Sequence, residues 1–565
     1  MKENFANSFL LTKFMLRRER FIALAWILIF TLIIVGLVPG MMPVIDAESR
    51  AEMASMLELP AMVAMIGPAI ALNHDGFGAF YTNMMLLFSV LTIGIMNIFL
   101  IVRHTRADEE QGRYEVLRSL PLGRLSNITS AFILAILINV LLSVLLSVFM
   151  FIVGDYSMGL MGSLIFGFAH GATGLVFAAF TALFCQMSSN SRGAISYSFF
   201  ALIIFYFMRA AGDMNTGIAF LSYISPLGLV LHSLPYAGDN VLPLLVMVLT
   251  AVVVGLIAMK ISATRDIDQG IIPARAGRRE ASALLRTSWG LSFKLTCTAI
   301  VLVLIGIFVL GASYAAILGD VENFVASNDF YRELLLTPAG INFEVAEGMS
   351  TEEIVEVMNS VLYFAGYNIT QLFASMINNI MVLVALAAPL LFVLRVKGEE
   401  KAVRAELILA TSTSRFKFMG GFVTISVVVS FLIQLVLGLG LYSVARGVIP
   451  NPADLPLRFT LESALVYVPA MWLMTGIVIF LIGAFPKFTG LIWGYYGYTF
   501  LVVFIGRLAI FPSWLSYTTP IGLVPQLPMD EINYLNLIIL TGIAVALTAL
   551  GFFFYNRRDI NAVTS

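Results

Sequence analysis

The sequence predicts an all-α membrane protein of 12 transmembrane helices, arranged as two parallel six-helix repeats with N- and C-termini cytoplasmic. Three observations predict it: an apolar composition, a charged segment that occurs twice, and the placement of Lys and Arg. Of 565 residues, 59% are hydrophobic and only 12% are charged, and the mean hydropathy is +0.93. A water-soluble surface needs far more charge than this, so the solvent of the chain is lipid. The segment RADEEQGRYEVLRSLPLGR at 106–124 aligns with KGEEKAVRAELILATSTSR at 397–415. Asp108 and Glu109 meet Glu399 and Glu400, Arg113 meets Arg404, Glu115 meets Glu406, Leu117 meets Ile408, and Arg124 meets Arg415. A repeat in register over acid, base and apolar positions makes the chain a doubled unit.

The elements follow in order. Lys13, Arg17, Arg18 and Arg20 precede the first apolar run, which lacks an A-x-A exit and therefore reads as a retained membrane helix and not a cleaved signal. Crossing a bilayer takes about 20 mostly apolar residues. Windows of that size fall at 21–42, 79–102, 128–153, 161–185, 194–211 and 241–260 in the first half, and at 295–318, 371–394, 419–443, 461–485, 489–508 and 534–555 in the second. The halves run over 1–265 and 291–565, joined by a connector at 266–290. With the N-terminus inside, every Lys and Arg except Arg50, Arg209, Arg332, Arg446, Arg458 and Arg507 falls on the inner side. An odd number of spans would spoil that bias, so both termini are placed in the cytoplasm.

Two longer outer segments, about 43–78 and 319–370, follow the first span of each half. In the second, MSTEEIVEVMNSV (Met349 to Val361) has Ser350 or Thr351 placed to cap a short amphipathic helix with Glu352 and Glu353 in its first turn. The connector is rich in Gly, Pro and Arg, and Leu284, Leu285, Trp289 and Leu291 at its end predict an amphipathic helix along the inner surface. Phe9, Leu10, Phe14 and Leu16 give the first span a similar approach. Further anchors recur in order in both halves: LSYISPLGLV (221–230) and LSYTTPIGLV (515–524) before the last span, Arg265-Asp266-Ile267 and Arg558-Asp559-Ile560 after it, and Arg209 and Arg507 at the outer ends of the fifth and eleventh spans. An even number of spans per half makes the repeats parallel, related by an axis along the membrane normal. Cys185 and Cys297 lie in apolar runs and are too few for a disulfide framework or a metal cluster.

The doubled charged segment is the main candidate site. Glu109 and Arg113, like Glu400 and Arg404, stand four apart in the order that favours a helix-surface pair. Tyr114, Leu117 and Leu120 in one copy, and Ala405 and Ile408 in the other, read as an exposed apolar patch. Pro121 would help end the first helix, and Ser412 takes its place in the second copy. An ordinary inner loop needs basic residues but has no reason to repeat an acidic cluster in register. A short helix with charge on one side and apolar residues on the other suits docking into a groove of a cytoplasmic partner. Charge reversal at Glu109 or Glu400 is then expected to uncouple the chain from that partner without unfolding the protein.

Other positions carry less. The phosphate-binding pattern G-x-x-x-x-G-K-[ST] is absent, so the chain is not expected to hydrolyse ATP. No catalytic residues, no metal site and no nucleic-acid partner are expected. An ion-coupled carrier would bury an ionisable residue at the membrane centre. His170 and then Glu462 are the candidates, and the small residues around His170 favour a hydrogen-bonded packing histidine. Asn378, Asn379 and Gln434 read as interhelical hydrogen-bond partners. Arg209 and Arg507 either snorkel to the outer interface or fix an outer gate. Pro226 with Gly228, and Pro520 with Gly522, bend a loop with one turn or a re-entrant outer hairpin covered by protein. The 27 Met and 44 Phe read mainly as core packing and lipid contact.

Six spans per half, a charged helix between the second and third, and a Pro-Gly segment before the sixth resemble the ABC-2 type permease domain. With DEEQGRYEVLRSLPLGR, RDIDQGIIPARAG and LSYISPLGLV, the doubled chain resembles the polyketide-antibiotic or tetronasin-type multidrug exporter permeases over essentially its whole length. The resemblance implies a separately encoded ATPase subunit in two copies, one under each half, with ATP and Mg bound there and no cofactor in this chain. It also implies that 106–124 and 397–415 are coupling helices, with Asp108, Glu109, Glu110, Arg113, Glu115, Leu117 and Arg124 in one and Glu399, Glu400, Arg404, Glu406, Ile408 and Arg415 in the other. The second copy departs at Ser412 for Pro121, Ser414 for Gly123 and Leu409 for Arg118, so the two contacts are expected to be unequal. The implied role is export of amphiphilic drugs or antibiotics across a bacterial plasma membrane. Two alternatives stand beside it: an ion-coupled secondary multidrug transporter, and a permease-like module acting on lipids or envelope components.

Overall fold

The computed structural model describes residues 2–42, 50, 60–69, 76–266, 268–272, 280–326, 332, 335–336, 349–506 and 513–559. Among these the secondary structure is helical throughout, and the chain divides into two compact units, 1–277 and 278–565, each with its own apolar core.

The first unit contains α1 (Ser8–Met41), α2 (Pro60–Ile66), α3 (Phe77–His104), α4 (Arg106–Glu110), α5 (Arg113–Arg118), α6 (Ser126–Val153), α7 (Leu160–Met187), α8 (Ser191–Met214), α9 (Phe220–Ile224), α10 (Pro226–Leu231) and α11 (Leu242–Thr264). The second contains α12 (Ser288–Ala315), α13 (Val321–Ala326), α14 (Thr351–Phe364), α15 (Ile369–Lys401), α16 (Arg404–Leu409), α17 (Arg415–Val448), α18 (Leu457–Leu465), α19 (Val468–Ala484), α20 (Leu491–Gly506) and α21 (Tyr534–Arg557).

Eleven helices among the described residues are long and apolar enough to cross a membrane. The span expected at 489–508 is the exception. It forms the shorter apolar helix α20, whose 16 residues extend about 24 Å at 1.5 Å per residue, and residues 507–512 lie outside the described part. The first span is longer than expected. Phe9, Leu10, Phe14 and Leu16 are exposed but belong to one 34-residue helix that begins at Ser8, not to a separate approach.

Small side chains set the packing of the first unit. Gly167, Gly171 and Gly174 form a strip on α7, and a Cβ on them would meet Ser147, Ser143 and Asn139 of α6 at about 2 Å. Such strips let helix backbones approach closely where lipid offers no hydrophobic drive between helices. Beside this strip Asn97 of α3 and Asn139 of α6, both fully buried, exchange amide hydrogen bonds of 3.1 and 2.7 Å. His170 is buried on the same helix, with Nδ1 2.7 Å from the Phe166 carbonyl and Nε2 2.7 Å from Ser89 Oγ. These are the contacts of a packing histidine.

In the second unit Asn378 donates to Ser463 Oγ (2.8 Å), Asn379 to the Tyr467 hydroxyl (3.0 Å) and Gln434 to Met471 Sδ (3.2 Å), so all three bridge helices. Glu462 sits instead on the surface of α18, paired with Arg458 one turn earlier at 2.7 Å. The acidic helix start read at 349–361 is α14, closed by a capping box between Ser350 and Glu353. The Ser350 backbone N–H donates to the Glu353 carboxylate and holds its carboxyl below the usual range. The surface helix expected near 284–291 is a single 3-10 turn, Ala283–Arg286, followed directly by α12 with Thr287 as its N-cap.

Candidate functional site

The two charged segments fold alike. In each, the acidic pair ends a helix, one residue takes a left-handed conformation, and a six-residue helix follows. The left-handed residue is Gly112 (φ 69) in the first copy and Val403 (φ 61) at the aligned position of the second. This break turns α5 and α16 away from the axis of the preceding helix. Arg113 and Arg404 reach instead to Asp108 and Glu399, one residue earlier than the expected Glu109 and Glu400, because a four-residue spacing faces one side only in a continuous helix.

The acids turn inward. Asp108 is 1% exposed and accepts from Arg18 of α1 at 3.0 and 3.2 Å and from Arg113 at 2.8 Å. Its counterpart Glu399 accepts from Arg404 at 2.6 Å, with Arg395 at 3.5 Å. Glu109 pairs with Arg106 and, at 2.6 Å, with Arg265 just beyond α11. Glu400 pairs with Arg558 just beyond α21 through both carboxylate oxygens, at 2.7 and 2.6 Å. Arg124 donates to the Arg265 carbonyl (3.0 Å), and Arg415 to the Arg558 carbonyl (2.6 Å). Each acidic pair is thus an internal clasp that ties its loop to the end of the last helix of its unit. Removing one partner of such a buried pair strands a charge in the interior and costs about 3–5 kcal/mol. The expectation that reversal at Glu109 or Glu400 spares the fold is corrected accordingly.

The copies differ at their edges. Glu110 accepts from the Ser191 backbone N–H at 2.9 Å and from its hydroxyl at the start of α8, whereas Lys401 stands at the aligned position. In the first copy the N-terminal residues also hold the loop: Asn4 and Ala6 carbonyls accept from Leu125 N–H (2.8 Å) and Gly123 N–H (3.1 Å), and Asn7 donates to the Pro121 carbonyl (2.7 Å).

Of the expected apolar patch only Leu120 is exposed. Tyr114 and Ala405 are buried, and Leu117 and Ile408 are half-buried against the core. Tyr114 donates to the Arg124 carbonyl at 3.4 Å, and burial pushes its phenol up. What each short helix presents outward is Val116 (70% exposed) with Leu120 in the first copy and Leu407 (74%) in the second, flanked by exposed Glu115 and Arg118 and by exposed Glu406. Val116 and Leu407 are aligned positions that the sequence pattern did not single out. α5 ends at Arg118, before Pro121.

At the opposite end of the first unit Arg209 is fully buried and does not snorkel. It donates to the Val63 and Ala64 carbonyls (2.9 and 2.6 Å), lies 3.5 Å from Asp213, and stacks over Tyr206. A guanidinium on the last carbonyls of α2 is a favourable C-terminal cap. Arg507 lies outside the described residues. LSYISPLGLV forms α9, a break at Ser225, and α10 with Pro226 at its first position. LSYTTPIGLV forms a 3-10 helix and a turn around buried Pro520. In both, a Cβ on the glycine would stand 2.1 Å from a serine carbonyl, Ser222 for Gly228 and Ser516 for Gly522. Only glycine closes these two bends. A cleft of about 230 Å³ in the first unit is lined by Trp26, Met96 and Phe99 and by the ion pair of Glu19 with Arg103 (3.0 Å).

Eleven long apolar helices whose outward faces carry large exposed hydrophobic side chains define a multi-pass protein of the cell membrane. The chain is similar to multidrug efflux permeases. Residues 339–556 match the family described as "Multidrug efflux system permease Rv1217c, C-terminal domain". Over 568 residues, 98% of this chain and 96% of the relative, it is 28% identical to the multidrug efflux system permease protein Rv1217c of Mycobacterium tuberculosis (strain ATCC 25618 / H37Rv).

Proposed function

We propose that the chain is the membrane permease of an ABC-type exporter, with twelve spans in two parallel six-helix halves and both termini cytoplasmic. It moves hydrophobic or amphiphilic drugs outward, using ATP hydrolysed with Mg by a separately encoded ATPase, one copy docked under each half. The observation that carries this reading is the paired loop: two short helices, each held by the same buried clasp, each presenting one large exposed aliphatic residue beside charge. The clasp supplies the rigidity a docking element needs, and Val116 and Leu407 supply the apolar contact a groove would bury. Full-length similarity to an efflux permease supports the transport class. In this reading α20 forms the eleventh of the twelve spans, Arg209 and the Pro226 and Pro520 bends brace the outer side, and lipid covers the exposed apolar faces.

The test is export of a fluorescent amphiphile from cells that express the chain with a partner ATPase. Val116→Asp together with Leu407→Asp should abolish ATP-driven export and ATPase co-purification while the melting temperature stays put. Export by the isolated chain under a proton gradient would refute the proposal. The ion-coupled alternative finds little support in the contacts of His170, whose two ring nitrogens are both engaged, or in surface-exposed Glu462.

A further inference from the structure

We propose that Arg265 and Arg558 are the positioning residues through which motion passes between the charged loops and the last helix of each unit. The proposal rests on reading those loops as docking elements, and it gives a role to the repeated Arg-Asp-Ile triplets that the fold alone does not explain.

Each arginine ties the loop twice. Its guanidinium holds the loop glutamate, and its backbone carbonyl accepts from the arginine at the far end of the same loop, Arg124 or Arg415. Both ends of the loop therefore meet at one residue. The ties are shielded, with side-chain exposures of 7% and 9% for Arg265 and Glu109 and of 15% and 1% for Arg558 and Glu400. Arg113 and Arg404, by contrast, are about half exposed, 49% and 50%. An ion pair reached by water yields readily, whereas a shielded one does not. Arg265 is occupied further by Gln186 Oε1 (2.9 Å) and by the Asp266 and Gln269 carbonyls. A push on α5 or α16 is thus delivered to the end of α11 or α21.

From there both units lead to the corresponding helix. In the first, the segment after Arg265 bonds to the end of α7, with Ile271 and Ile272 N–H donating to the Gln186 and Met187 carbonyls at 3.0 Å. In the second, α21 lies backbone to backbone on α19: a Cβ on Gly551 would stand 2.6 Å from the Ile479 carbonyl, and one on Gly483 2.2 Å from the Gly551 carbonyl. With no side chains to cushion it, displacement of α21 displaces α19. Helices α7 and α19 (with α18) are the fourth membrane elements of their halves, so the route is the same in both.

The experiment uses the full chain reconstituted with its ATPase and reads transport per ATP hydrolysed. Compared at equal amounts of folded protein, because each strands a buried glutamate, Arg265→Gln and Arg558→Gln should each leave the ATPase bound and active yet lower that ratio by about tenfold or more. The swap Glu400→Arg with Arg558→Glu should recover most of it, which a residue needed only for folding would not do. A ratio within about twofold of wild type in both single variants, with the ATPase attached, overturns the proposal. Should either variant misfold, Glu109→Cys with Arg265→Cys, in a chain lacking Cys185 and Cys297, is joined by a short bifunctional thiol reagent. Transport that survives cross-linking supports the rigid tie, and transport lost on cross-linking but restored by cleaving the linker overturns it. Wild-type export without any ATPase refutes the docking reading instead; the tie is then overturned by Arg265→Gln transporting like wild type.

Discussion

The left-handed residue between the acidic pair and the short helix allows a reciprocal test of the loop geometry. Gly112 occupies φ 69 at no steric cost, whereas Val403 adopts φ 61 with a β-branched side chain. For an L-residue the left-handed region costs about 1–2 kcal/mol, and Val belongs at the upper end because its branch crowds the following carbonyl. Val403→Gly removes that strain and returns about 0.5–1 kcal/mol of it as unfolded-chain entropy, a net gain of about 1 kcal/mol. Little burial is lost, since Val403 is 46% exposed. Gly112→Val is the mirror image: a Cβ there meets nothing within 4 Å, so its expected loss of about 1 kcal/mol is a pure backbone term. Thermal unfolding of the detergent-solubilised chain, followed by tryptophan fluorescence, should move upward for Val403→Gly and downward by a similar amount for Gly112→Val. A lower melting temperature for Val403→Gly, or none of the expected loss for Gly112→Val, would show that the loop does not hold this break.

Further outcomes follow from the same contacts. Glu400→Lys should cost about 3–5 kcal/mol by stranding Arg558, seen as poor folded yield and a large melting shift, whereas Glu406→Lys on the exposed face should leave stability unchanged. Gly174→Ala should destabilise by about 1–3 kcal/mol, because the added methyl enters the space of Asn139 Oδ1; Gly36→Ala, where nothing lies within 4 Å, is the control in the same melting assay. The capping box predicts a pH dependence. The Glu353 pKa is lowered from 4.5, so its contribution is present above that value and is lost as pH falls through the folded pKa. Hydrogen-exchange protection of the first turn of α14 should therefore drop in acid, and Ser350→Ala should remove that drop along with the protection.

Much of this architecture was legible along the chain because it is local. Hydrophobic windows located the long helices, and Ser350 with Glu353 three residues on announced the start of α14 correctly. The doubled charged segment was equally legible as a repeat, but its internal chemistry was not. Glu109 and Arg113 stand at a helix-pair spacing, and what separates them is a backbone reversal at Gly112, readable as a glycine, that Val403 does not advertise. The real partners, Arg18, Arg265 and Arg558, lie far away in sequence, and pairings of that range come from the fold. The inward turn of Tyr114 and the outward turn of Val116 and Leu407 follow from the same reversal. Arg209 was read as a choice between interface and gate because its acceptors, the carbonyls of Val63 and Ala64, belong to a short helix with no strong sequence signal of its own.

The Asn97–Asn139 pair constrains how the first unit can change shape. Two amides that exchange both hydrogen bonds fit at one axial offset of α3 against α6, and water is not at hand to compensate for a lost bond. Sliding either helix by one turn, about 5.4 Å, would leave both amide oxygens facing hydrocarbon, while the amide nitrogens keep their bonds to the Ile93 and Ala135 carbonyls of their own helices. The strip at Gly167, Gly171 and Gly174 adds a steric notch at the same level, so α3, α6 and α7 share a single register. Any change of shape in this unit has to leave that register intact: these three helices tilt or pivot as a block, and any piston-like stroke belongs to the helices around them.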